Sequence, residues 1–472
     1  MSKFKTAARC ALFLAILSFV SVNIFNVLTW KSTEGIIGLY NLPKDRVDVL
    51  FLGSSHSYCT VNTAQLWEEH GIAAADISEA AQVFPIEYHY LREALKTQRP
   101  KVVCMELYGF DRNVHIASGA HFRNSLNMKW SKNYVENANY IIGNISSRIS
   151  GADNLNAIIK AIYLKFPVIH SRYKELTEND FGQNNNALRF QPNWSSREYT
   201  APEALNEKGV AALTDEQRKY LDSSVELAKQ YGCELILWVA PSTPNEDRAM
   251  QYNAIKQYAL ENGVTFYNMH DYISELGFDY ATDLRDEGES SGNHINSNGA
   301  QKVTRYLGKL LAENYDLQDR RGDPEYAFYD RAARQWDVEY ALHSMELAEN
   351  LQDYLKALDT DLMQVSLIRY DSRAQWPKGA AIEALLNEKT NIDGLYTDAR
   401  WNNLNGVWEL SDRVKLRVRV KDGVINNVLL HNGSLSIKMN DCKFAVIVVD
   451  RETGRLLNKA EFNGSGDSTR RL

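Results

Sequence analysis

The stretch Val47-Asp-Val-Leu-Phe-Leu52-Gly53-Ser54-Ser55-His56-Ser57 decides how the rest of the chain is read. Its first six residues form a short apolar run that stops at a glycine. That is the pattern of a strand buried on both faces and followed by a turn. Such a strand needs parallel neighbours, and the chain supplies them. Residues 86–97 read as a helix that Pro100 stops, and Lys101–Leu107 as a second buried strand. A helical stretch at 214–230 leads into Glu234–Ala240, closed by Pro241. Residues 247–261 are helical, Val264–Tyr267 is a fourth strand, and 299–314 a final helix. Strands alternating with helices predict βαβ units, hence an α/β domain over residues 40–316 with a central parallel sheet between two helical layers. Segment 111–213 breaks the rhythm. It is polar and aromatic-rich, with a helical pattern at 152–164, and reads either as an insertion capping the sheet's edge or as a scaffold extension.

A single core rarely grows past about 250–300 residues, so a chain of 472 residues calls for a second unit. Residues 317–325 are a polar hinge, and 326–358 are strongly helical. Met363–Arg369, Val414–Val420, Val424–Leu430 and Phe444–Val449 then have strand character, and Asp422-Gly423 signals a hairpin between two of them. This predicts a separate α+β domain over 326–472.

At the other end, Lys3, Lys5 and Arg9 precede the uncharged run Cys10–Trp30. At about 1.5 Å per residue that run can cross a hydrocarbon core about 30 Å thick. The basic flank favours a cytoplasmic N-terminus, with Trp30 at the interface. Residues 1–31 are therefore expected to be an uncleaved anchor and 31–472 to be extracytoplasmic; a cleaved signal peptide is the competing reading. Net charge is -7 and no long Lys/Arg block occurs, which argues against nucleic acid as a partner. The five cysteines are widely spaced without a CxxC pair, so neither a disulfide framework nor a zinc site is signalled.

A serine on the turn after the first strand sits at the carboxyl edge, where α/β sites form. A hydroxyl is a poor nucleophile until a base takes its proton. The candidate base is His294, in the polar loop Asp283-Leu-Arg-Asp286-Glu287-Gly-Glu-Ser-Ser-Gly-Asn293-His294 just before the last helix. An upstream carboxylate would hold its tautomer. Asp286 is the first choice, a Ser–His dyad with no carboxylate the second, and Asp283 the third. The acidic loop lacks the Asp-x-Asp-x-Asp-Gly spacing of a calcium loop, so no metal or other cofactor is expected.

Gly53-Ser54-Ser55-His56 resembles the first motif of the SGNH/GDSL hydrolase superfamily, whose third residue is the nucleophile. His294-Ile-Asn296-x-x-Gly299-Ala300 with Lys302 resembles its last motif. The nearest subgroup is similar to the D-alanyl-lipoteichoic-acid biosynthesis protein. Its Asp would match Asp286 if Glu287–Ser291 are an insertion. The second motif's glycine is replaced here by Ser78, in Asp76-Ile-Ser78 with Gln82, and Glu106-Leu-Tyr108 stands where the third motif's Asn belongs. The resemblance implies catalysis by Ser55, His294 and Asp286. It places Gly53, Ser78 and Asn293 around the oxyanion and substrate. The expected function is a serine esterase or O-acyltransferase acting on a cell-envelope glycopolymer or acyl donor, with a membrane-bound acyltransferase as partner. The alternative is a non-catalytic assembly or glycan-binding protein that keeps the fold. Asp441–Arg455, with Asn432-Gly433-Ser434 upstream, resembles interleukin-like EMT-inducer modules, which implies a binding module or a structural one.

Overall fold

The computed structural model describes residues 2–28, 35–114, 119–146, 148–149, 151–165, 169–176, 186–188, 190–288, 294–370, 373–387, 405–421, 424–433, 435–438 and 442–472. The chain divides into two compact units, Met1–Ala333 and Arg334–Leu472.

The first unit opens with helix α1 (Ser2–Leu28), within which Lys5–Phe25 is long and apolar enough to cross a membrane. Helix α2 (Gly35–Asn41) precedes a five-stranded sheet made of β1 (Val49–Leu52), β2 (Ala74–Asp76), β3 (Val102–Glu106), β4 (Glu234–Val239) and β5 (Thr265–Asn268). Every pairing is parallel, in the order β2-β1-β3-β4-β5. This is a doubly wound sheet whose strand order reverses between β1 and β3, the place where such sheets carry their sites. Leu50, Phe51 and Leu52 are fully buried. Side chains covered on both sheet faces explain the continuous apolar run, each contributing about 1.5–3 kcal/mol on burial.

The flanking helices are α3 (Ser55–Tyr58), α4 (Thr63–His70), α5 (Phe84–Ala94), α6 (Ala120–Leu126), α7 (Lys132–Ser146), α8 (Ala152–Leu164), α9 (Asp215–Tyr231), α10 (Glu246–Asn262), α11 (Ile273–Leu276) and α12 (Ser297–Asn314). Helix α12 buries Ala300, Val303, Leu307 and Leu311, an i, i+3, i+4 stripe. Its Gly308 lies so near α4 that an added Cβ would sit 2.6 Å from the His70 ring.

The continuous helix expected over 326–358 is broken into α13 (Ala327–Leu347) and α14 (Leu351–Lys356), because Asn350 starts a new helix by accepting the Asp353 N–H. The second unit adds β6 (Met363–Arg369), α15 (Ala380–Leu386) and β7 to β13: Asn405–Glu409, Val414–Lys421, Val424–Asn432, Leu435–Lys438, Phe444–Asp450, Leu456–Asn463 and Arg470–Arg471. They form two antiparallel sheets, β10-β9-β8-β7 and β13-β12-β11-β6. Strand β11 is buried throughout. Phe444, Val446 and Val448 join one core with residues of α13 and α14, while Ala445, Ile447 and Val449 join a second with Val414, Leu416 and Leu430. Two-residue alternation thus feeds two cores from one strand. Asp450 closes its far end by accepting the Glu452 and Thr453 N–H groups at 2.8 Å each. Lys421 pairs with Val424, but the Asp422-Gly423 turn between them lies outside the described residues.

Candidate active site at the carboxyl edge of the sheet

The chain leaves β1 through Gly53, where an added Cβ would lie 2.6 Å from Glu106 Cβ; only glycine lets β1 and β3 approach so closely there. Ser54 caps α3, its Oγ accepting the His56 N–H at 3.3 Å. Ser57 Oγ donates to Asp76 Oδ2 at 2.9 Å, tying α3 to the end of β2. These contacts set Ser55 on the first turn, half-buried at the sheet edge.

His294 reaches the same edge from the far end of the domain. Leu284 and Ile295 form an antiparallel bridge. Around it, the Arg285 N–H donates to the His294 carbonyl at 3.0 Å and the Asn296 N–H to the Asp283 carbonyl at 2.9 Å. Asn296 then caps α12, and Gly299 leaves room for the Asp283 carbonyl, 2.5 Å from where its Cβ would be. The result is a distance of 2.6 Å between Ser55 Oγ and His294 Nε2. The other ring nitrogen, Nδ1, lies 2.5 Å from Glu287 Oε1. A carboxylate can only accept, so the Nδ1 proton points at Glu287 and Nε2 presents its lone pair to the serine.

The expected acid, Asp286, is corrected to Glu287, whose carboxylate is the one on His294 Nδ1. Asp286 instead accepts the Gly288 N–H at 3.1 Å and lies 3.5 Å from Arg197, half exposed. Asp283 is buried against Lys302 at 2.6 Å and accepts the Asp279 N–H. Both acids shape the loop without touching His294. Ser78 is a second correction. Its N–H donates to Asp76 Oδ1 at 2.8 Å and so is committed within the fold rather than offered to an oxyanion. Asn293 lies outside the described residues.

Behind Ser55 stands a pile of flat groups that the sequence did not announce. The His56 ring stacks on Tyr108 at 3.4 Å and 14° and lies 4.6 Å from the His294 ring. The Arg248 guanidinium sits 3.9 Å from the Tyr108 ring centroid and donates to the Tyr108 carbonyl at 2.7 Å. Burial first, then the nearby His294, Arg248 and Arg112 charges, holds His56 well below the usual histidine range, so it backs His294 as a neutral ring.

No family model and no curated protein matches the sequence. Among solved structures, the chain is similar to a GDSL-like lipase from Bacteroides thetaiotaomicron, with 13% identity over 57% of this chain and 88% of that one, TM-score 0.28. A provisionally assigned acylhydrolase from Bacteroides fragilis has 13% identity over 58% and 92%, TM-score 0.30. A provisionally assigned lipolytic protein of the G-D-S-L family from Desulfitobacterium hafniense has 11% identity over 56% and 98%, TM-score 0.29. These likenesses are distant.

Two buried acids support the nucleophile turn. Glu106, at the end of β3, accepts the Tyr108 N–H at 2.9 Å and meets Ser54 Oγ at 3.3 Å. Burial pushes its carboxyl up to about 8, against opposing hydrogen bonds and the Arg248 charge. Asp76 is likewise pushed up by burial, to about 6. The arrangement as a whole can take a proton from a hydroxyl, return it to a leaving group, and hold the imidazolium formed in between.

Proposed function

We propose that this protein is a membrane-anchored, extracytoplasmic serine esterase or O-acyltransferase of the SGNH type, acting on an acylated cell-envelope glycopolymer. The continuous chain Ser55 Oγ–His294–Glu287 carries the reading. In this mechanism Ser55 Oγ attacks the acyl carbonyl carbon while His294 Nε2 takes its proton. Glu287 stabilises the imidazolium through Nδ1. The tetrahedral oxyanion is met by the Ser55 N–H, at the start of α3. The intermediate collapses as His294 returns the proton to the leaving alkoxide, and an acyl group remains on Ser55. Water or a second hydroxyl then releases it by the reverse steps, so hydrolysis and transfer differ only in the acceptor.

The exposed apolar helix α1 supports anchoring, which would keep the site beside a surface polymer. A membrane-bound acyltransferase that loads the acyl donor fits the same placement, and the second unit suits a glycan-binding module. The committed Ser78 N–H favours the alternative, a non-catalytic assembly or glycan-binding role. A fluorophosphonate probe decides between them. Labelling of the wild type that disappears in Ser55→Ala supports the enzyme; folded protein that resists labelling supports the binder.

A further inference from the structure

The segment 190–200 lies along the His294 loop. Asn193 and Ser297 exchange hydrogen bonds, Ser297 N–H to the Asn193 carbonyl at 2.7 Å and Asn193 N–H to Ser297 Oγ at 2.9 Å. The Arg197 N–H donates to the Leu284 carbonyl at 3.2 Å and the Tyr199 N–H to the Tyr280 carbonyl at 3.1 Å. Tyr199 then sends its side chain into the turn that carries Glu287. Its Oη accepts the Glu287 N–H at 3.1 Å, and its own proton is shared between the carbonyls of Arg285 at 3.2 Å and Gly288 at 3.1 Å. Gly288 adopts φ +85°, the left-handed bend that wraps the chain around the hydroxyl.

We propose that Tyr199 is the positioning residue that holds Glu287 on His294, making the 190–200 segment a working part of the site. One phenol oxygen contacts three backbone groups of the turn, at 285, 287 and 288, including the N–H of the acid itself. A carboxylate acts on a histidine only in a narrow range of position, and a displacement of about 1 Å can cost on the order of a hundredfold in rate. Asp286 and Arg197 brace the turn from its solvent side, so Tyr199 is the contact on the Glu287 amide. The proposal rests on reading Ser55, His294 and Glu287 as an acyl-transfer site.

The test uses the full chain in detergent micelles and compares wild type, Tyr199→Phe, Glu287→Gln, the double variant and Ser55→Ala. The labelling rate with a fluorophosphonate should fall about ten- to a hundredfold in Tyr199→Phe. The double variant should be no slower than Glu287→Gln by more than about twofold, because residues acting as a unit are not additive. The downfield Nδ1 proton resonance of His294, identified by its loss in Glu287→Gln, should broaden in Tyr199→Phe. A wild-type rate with an unchanged resonance, or effects that multiply in the double variant, would overturn the role of Tyr199. If Ser55→Ala labels like the wild type, the catalytic reading fails, and the resonance alone then decides whether Tyr199 places Glu287.

Discussion

Glu287 and Asp286 are neighbouring acids with opposite surroundings, so changing each to its amide separates their duties. Glu287→Gln keeps the size of the side chain but cannot hold the Nδ1 proton as a carboxylate does. It is expected to lower kcat on p-nitrophenyl acetate by about 10²–10⁴, with KM nearly unchanged. Asp286→Asn should stay within about threefold of wild type, since its amide oxygen can still accept the Gly288 N–H. A large loss in Asp286→Asn beside a normal Glu287→Gln would return the acid to 286. His56 offers a second comparison. It is a buried neutral ring whose Nε2 has no hydrogen-bond partner among the described residues. His56→Phe should therefore preserve the stack and most of the rate, whereas His56→Ala opens a cavity beside His294 and should slow turnover at least about tenfold. Equal loss in both variants would mean that the imidazole takes a direct part in the reaction.

Among the elements, β3 contributes a pH dependence of its own. Its Glu106 faces Ser54, Tyr108, Arg248 and the buried Glu87 of α5, whose carboxyl burial also pushes up. Glu106 titrates near 8 in the folded chain against an ordinary value of 4.5. The folded state therefore binds its proton more tightly than the unfolded state. The resulting stabilisation is complete below about pH 4.5 and is lost as pH rises through 8. Thermal unfolding from pH 5 to 9 should show Tm falling for the wild type and a flatter profile for Glu106→Gln, the two converging near pH 5. Parallel profiles would show that Glu106 ionises without cost. Elements of this kind mark the limit of what the sequence reveals. The buried strands β1, β3 and β4 were legible because both faces are covered and the apolar runs are unbroken. Strand β2 has only three residues, too few to display a period. Ser55 and His294 were legible because a turn and a helix start fix their places. Glu287 was not, because the way a side chain faces in an irregular loop is set by contacts distant in sequence, which local residue types do not encode. Tyr199 was hidden for a related reason: it reaches Glu287 across a separation of 88 residues.

The whole molecule combines an exposed apolar helix, a sheet-edge site and a second unit with cores of its own. If α1 anchors the chain, the protein should stay with membranes through alkaline carbonate, and protease added to intact cells should digest the bulk of it. Release by carbonate, or full protection, would contradict that placement. During turnover Ser55 is expected to carry an acyl group. Mass spectrometry of the protein quenched during reaction with p-nitrophenyl acetate tests it most directly. An acetyl adduct is expected on the peptide containing Ser55, absent in Ser55→Ala and formed far more slowly in His294→Ala. An adduct on another residue, or one that forms at the same rate without His294, would contradict it.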